Sequence, residues 1–129
     1  MTDQTASWTA GSLDRIGAAE ELEIATARDD GSLRPWVPIW VVRVGDELYV
    51  RSGGGTAGTW YRHAVARHEA RIRANGIEDD VRLARAGARA RSEINGAYQA
   101  KYARYADSYL PSLVSGAAQQ ATLRLLPRG

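Results

Sequence analysis

The 129-residue chain has no cysteine and no phenylalanine, one lysine, one methionine and two histidines. Without cysteine there is no disulfide, no thiolate metal site and no thiol nucleophile. That pattern is the one expected of a cytoplasmic protein. His63 and His68 stand about 140° apart round a helix, whereas a zinc pair needs i and i+4. With no third histidine, no metal is expected. No G-x-S-x-G elbow marks a serine nucleophile, and no side chain is singled out as catalytic. No apolar run nears the roughly 18 residues of a membrane span. Met1 to Ser12 is polar and lacks the basic start and apolar middle of a secretory signal, so neither membrane nor export is expected.

What is present suits one folded domain over residues 1–129: hydrophobic residues are 44%, enough for a core. The net charge of +2 is unevenly spread. Residues 1–50 carry four Arg against nine Asp/Glu, and residues 61–105 carry ten Arg/Lys against five. Either the basic region complements the acidic one, or it is a docking field for a phosphate-bearing cofactor or anionic partner. The basic residues are dispersed and accompany no nucleic-acid motif, so nucleic acid is not expected. Sixteen of the seventeen are Arg, a bias over the whole chain that reflects base composition more than a site.

Alternation and turn signals give the order of elements. Ser12–Ala19 reads as a helix capped by Ser12. Glu21–Arg28 alternates as a strand and ends at the turn Asp29-Asp30-Gly31-Ser32. Trp36–Val44 is apolar on both faces and predicts a central strand, with Trp36 and Trp40 on the same side. Gly45-Asp46 joins it to Glu47–Arg51 in a hairpin. A glycine loop, Ser52–Thr59, leads into a helix to Arg67. Glu69–Ala74 and Asp80–Ala84 form a second hairpin about Asn75-Gly76. Ser92–Tyr109 predicts the longest helix, with Ile94, Tyr98, Tyr102, Tyr105 and Tyr109 in one stripe, and Ala121–Leu126 is the last strand. The sum is an α+β fold: a six-stranded antiparallel split β-barrel with a crossover helix and a long C-terminal helix.

Gly53, Gly55 and Gly58 satisfy G-x-G-x-x-G, but the preceding strand belongs to a hairpin and no parallel βαβ units follow, so a dinucleotide fold is excluded. Thr59 stands where a P-loop needs lysine. A phosphate cradle of glycine-loop N–H groups and a helix N-terminus remains open, as does a plain surface loop. The carboxylate pairs at Glu20-Glu21, Asp29-Asp30 and Glu78-Asp79-Asp80 fall at turns and element ends and read as solvated. The tyrosine stripe packs a helix on the sheet, or offers Tyr98 and Tyr102, beside Lys101, as one wall of a ligand pocket. Trp36, Trp40 and Trp60 fill core or stack on a flat ring.

Asp30-Gly31-Ser32-Leu33-Arg34, Pro38-Ile39-Trp40-Val41-Val42, Gly45 to Ser52 and the glycine loop entering the Trp60 helix resemble the FMN-binding split-barrel superfamily, with its pyridoxamine phosphate oxidase-like proteins and deazaflavin-dependent reductases. With Trp60-Tyr61-Arg62, Lys101-Tyr102 and Ala121 to Leu125 added, the chain resembles a small bacterial family of uncharacterised domains within it. The resemblance implies a homodimer with FMN or a deazaflavin coenzyme at the barrel edge, acting as an oxidoreductase on a small molecule. It implies that Arg51, Ser52, Gly53 and Thr56 hold the cofactor phosphate; aromatic stacking and phenol donors would then put Trp36, Trp40 and Trp60 against the ring and Tyr98, Lys101 and Tyr102 on the substrate side. Deazaflavin-binding relatives commonly place a lysine in the loop or early helix; Gly58 and Thr59 stand there in this chain. The alternative is a cofactor-free binding or non-redox biosynthetic protein using the same pocket.

Overall fold

The computed structural model describes residues 8–128, so the first seven residues of the polar N-terminal stretch lie outside the described part. Seven strands form one antiparallel sheet: β1 (Leu22–Thr26), β2 (Val37–Ile39), β3 (Val41–Val44), β4 (Glu47–Arg51), β5 (Glu69–Ala74), β6 (Ile77–Arg85) and β7 (Thr122–Pro127), in the order β2-β1-β5-β6-β7-β4-β3. The two edge strands, β2 and β3, are consecutive in the chain and separated by Trp40 alone. The sheet therefore curls until its edges meet at that residue, a nearly closed barrel.

The helices are α1 (Ala10–Ala18), α2 (Thr59–Arg67), α3 (Arg91–Lys101), α4 (Leu110–Leu113) and α5 (Gly116–Gln120). Among the described residues no helix is long and apolar enough to cross a membrane. The cap of α1 is Thr9, whose hydroxyl accepts from the Ser12 N–H, and not Ser12 itself. The Asn75-Gly76 hairpin forms as expected, with φ of 49° and 85°, a pair of left-handed positions that these two residue types tolerate best.

The expected single strand Trp36–Val44 is two strands, which is why there are seven and not six. Its first half pairs with β1 and its second with β4. Apolar residues on both faces are explained by two cores. One fills the barrel with Ile24, Val41, Leu48, Val50, Ile72 and Leu123 among others, closed at one end by α1 and by Trp8, whose indole N–H donates to the Leu125 carbonyl at 3.0 Å. The other lies outside, where Val42 and Tyr49 meet Ile94, Tyr98, Tyr102, Leu110 and Leu113.

The long helix expected over Ser92–Tyr109 ends at Lys101, followed by a 3-10 turn at Ala103–Tyr105. Seven residues of α-helix rise about 10 Å. The looser chain instead brings Tyr102, Tyr105 and Tyr109 onto one indole, with ring centroids 4.0, 4.9 and 6.3 Å from Trp40.

The charge asymmetry resolves into cross-links between the acidic N-terminal part and the basic remainder: Arg73–Glu23 at 2.7 Å, Arg124–Glu47 at 2.9 Å, and Arg104–Glu20. Arg73–Glu23 and Arg104–Glu20 are exposed and Arg124–Glu47 is half-buried, and exposed pairs add at most about 1 kcal/mol.

Candidate functional site

A cleft of about 430 Å³ opens where the split edge of the barrel faces the glycine loop and α4. Trp40 and Trp60 line it, with Arg51 and Gly53, which end β4 and start the loop. These four are sequence-expected site residues that the fold brings together. Ser112, Leu113 and Tyr109 from the C-terminal segment complete the lining with Glu21, Val37, Pro38 and Ile39. No motif marks Ser112 and Leu113, Tyr109 is the last of the tyrosine stripe, and all three are more than 40 residues from Trp60.

Arg51 is the largest fully buried side chain, 2% exposed. Period two along β4 places it on the face of Tyr49, under α3 and α4. Its Nε donates to Thr122 Oγ1 at 2.8 Å, one Nη to Asn95 Oδ1 and to the Leu113 carbonyl at 2.9 Å, and the other Nη to the Arg91 carbonyl at 3.4 Å. Four of five N–H donors are thereby engaged, all by neutral acceptors. Burial pulls its pKa below the ordinary arginine value; Tyr98 acts against that and Arg91 with it. Arg91 Nε is itself buried and without a partner among the described residues. Arg51 thus brings a positive charge to the cleft with no carboxylate among its own hydrogen-bond partners, and Glu21 lines the same cleft.

Ser52 is buried against the loop. A Cβ on Gly58 would stand 2.3 Å from Ser52 Oγ, so a larger residue at 58 displaces the serine. A lysine at this position would meet the same clash. Gly58→Ala is expected to cost about 1–2 kcal/mol through overpacking. Most of it should return in a Ser52→Ala background, because only Oγ is in the way. Urea midpoints of the four members check this, and equal costs in both backgrounds would show that the contact does not constrain the loop.

Thr56 lies exposed in the 3-10 turn Gly55–Ala57 and does not line the cleft. Trp36 is also elsewhere: Arg73 lies over its ring, 4.2 Å from the centroid. The break at Trp40 cancels the parity that would have put the two indoles on one side.

Tyr98, Lys101 and Tyr102 sit behind Trp40, not in the cleft, and their polar tips meet the backbone where the barrel splits. Tyr98 Oη donates to the Trp40 carbonyl at 3.3 Å, and Lys101 Nζ to the Val41 carbonyl at 2.7 Å. Tyr102 Oη accepts from the Val41 N–H at 3.2 Å and lies 2.7 Å from the Glu20 carbonyl. The Tyr102 ring stacks on Trp40 at an interplanar angle of 2°. Burial raises the pKa of both tyrosines and brings Lys101 down to about 8. Sheet edges leave backbone groups needing partners, and α3 supplies them.

Among the described residues no cluster of His, Asp and Glu is arranged to hold a metal ion.

A family model described as "Uncharacterized protein conserved in bacteria" (DUF2255) matches residues 12–125. No curated protein matches the sequence. Among solved structures, the chain resembles a FAD-binding protein from Mesorhizobium loti at 15% identity and TM-score 0.61, covering 98% of this chain and 95% of that one. It resembles an F420-H2 dependent reductase at 14% identity and TM-score 0.62, covering 82% and 93%. A pyridoxamine 5'-phosphate oxidase candidate from Listeria innocua has 8% identity and TM-score 0.63, with 92% of each chain covered. At these identities the likeness establishes the split-barrel fold.

Proposed function

The chain belongs to the DUF2255 family, and we propose that it binds FMN or a deazaflavin coenzyme in the cleft between Trp40 and Trp60 and serves as an oxidoreductase for a small molecule. The observation that carries this reading is the convergence of two indoles, a buried guanidinium with only neutral partners, and Gly53 in one cleft. Those residues fit a flat ring with an anionic tail. The relatives named for FAD and F420 support the choice of ring.

When bound, such a group supplies the hydride chemistry. The protein's part is to bind and orient. Trp40, held flat by Tyr102, offers a rigid aromatic wall, and Trp60 offers another from the first turn of α2. Arg51 contributes charge and at most one N–H, since its other donors are engaged. Gly53 lets the backbone approach closely. The cleft is open on one side and Tyr109 is 67% exposed at its rim, so a second copy of the chain is the proposed cover, giving a solution mass twice 14.0 kDa.

Titration with FMN and with the deazaflavin coenzyme is the test. Tryptophan fluorescence should be quenched saturably by one of them, and Trp60→Ala should blunt the quenching with the fold intact. Absence of binding at about 1 mM, an affinity of only some 4 kcal/mol, would overturn the redox reading and leave the cofactor-free alternative. Light scattering that reads a single chain would remove the dimer.

A further inference from the structure

A second cavity, of about 360 Å³, lies on the other side of Trp60 and Val37, which line both. It is within the size range of small-molecule sites, about 300–1,000 Å³. Its remaining lining is Ile24, Thr26, Arg34, Pro35, Thr59 and His63. The floor is apolar, made by β1, β2 and the Trp60 indole. The polar groups are the Arg34 guanidinium, the Thr26 and Thr59 hydroxyls and the His63 ring, with one cation and no carboxylate among them.

The charge is concentrated there. The Arg34 guanidinium is fixed by a bond from its Nη1 to the Ala27 carbonyl at 2.9 Å. His63 is held below its ordinary pKa by burial first, then by the charges of Arg34, which lines the cavity with it, and of Arg62. Thr59 is the first residue of α2, a nine-residue helix with no side-chain cap and no acidic residue in its first turn. The positive end of the helix dipole therefore goes unopposed at a cavity that Arg34 also lines. The cleft around Arg73 is different, since Glu21, Glu23 and Glu78 line it and leave no anion attraction.

We infer that the cavity bounded by Trp60, Val37, Arg34 and His63 binds a small amphipathic carboxylate, with its apolar body on the indole and aliphatic floor and its anionic end between Arg34 and the start of α2. An apolar body alone would leave the cation unused, and an inorganic anion alone would leave the floor wet. Recognition of both ends is what this lining provides. The inference does not depend on any flavin in the neighbouring cleft.

The experiment is run without cofactor on the whole chain. Octanoate, its neutral analogue octanamide, and acetate are titrated, followed by amide chemical shifts and tryptophan fluorescence. Octanoate should bind saturably and at least about tenfold more tightly than octanamide, one charge-assisted contact's worth. Acetate should not saturate. The largest shifts should fall at Thr26, Arg34, Thr59 and His63. Arg34→Gln should weaken octanoate and leave octanamide unchanged. Arg62→Gln, at an exposed position that does not risk the fold, should weaken octanoate less but in the same direction. No octanoate binding by about 10 mM, equal affinity for octanamide, shifts centred elsewhere, or indifference to both substitutions would each overturn the assignment.

Discussion

Arg51→Ala is expected to lower the unfolding free energy by about 3–5 kcal/mol, measured from urea midpoints. Two costs combine. Truncating a fully buried long side chain leaves a cavity, for which large-to-alanine changes cost about 2–5 kcal/mol. The substitution also strands the buried Leu113 carbonyl, at about 1–3 kcal/mol, and takes a donor from the half-buried Asn95 Oδ1, while Thr122 Oγ1 keeps its bonds to the Ala118 and Gln119 carbonyls. Relief from burying the charge offsets part of this. Arg51→Met separates the two roles assigned to the residue. It keeps most of the stem and removes the charge, so it should be more stable than Arg51→Ala. It should still lose at least about tenfold in cofactor affinity if the charge holds an anionic tail. A stable Arg51→Met protein with unchanged affinity would leave Arg51 a clamp between β4, α3 and α4 and nothing more. An Arg51→Ala protein as stable as the original would remove the clamp as well.

The parts of the fold that were readable in the sequence are those settled by neighbouring residues. Asn75-Gly76 is such a case, because the two left-handed positions of the turn demand residues that tolerate them. The hairpin through Gly45-Asp46 into Glu47–Arg51 is another, with Gly45 at a φ of 61° and β3 paired antiparallel to β4. The run Trp36–Val44 shows where local reading stops. Apolar residues on both faces are the same evidence whether a strand sits mid-sheet or passes from one edge to the other. Only the pairing with β1 and β4, set by distant residues, decides it. The tyrosine stripe misleads in a related way. Its period persists to Tyr109, yet the helix stops at Lys101, because converging on Trp40 outweighs continuing the backbone ladder. For the site, the resemblance pointed to Trp40, Arg51, Gly53 and Trp60, which meet in the cleft. It carried no signal for Ser112 and Leu113, whose place depends on how α4 folds back over β4. Nor did it mark the cavity between Arg34 and His63, whose lining comes from three separate stretches of chain.

Tyr102→Phe, which deletes one oxygen and keeps the ring, is expected to cost about 2–3 kcal/mol. The lost hydroxyl accepts from the Val41 N–H and donates its single proton to the Glu20 carbonyl, the nearer of two carbonyls it faces, while Lys101 serves the Val41 carbonyl. The buried Val41 N–H at the split of the barrel would then lose its tyrosine partner, and the Glu20 carbonyl, on an exposed residue, would lose its donor. The same cluster sets a pH profile. Lys101 has its pKa lowered from 10.5 to about 8, so the unfolded chain binds its proton more tightly. Its contribution is fully present above pH 10.5 and is lost as pH falls through about 8. Tyr98 and Tyr102 have pKa values raised above 10.0, chiefly by burial, so their contribution is present below pH 10 and is lost as pH rises further. Urea midpoints should therefore rise between about pH 8 and 10 and fall beyond. Lys101→Met should flatten the rise and leave the fall. Tyr102→Phe should lower the whole curve, keep the rise and soften the fall. A rise that survives in Lys101→Met would assign it to other groups and take the lysine out of the cluster.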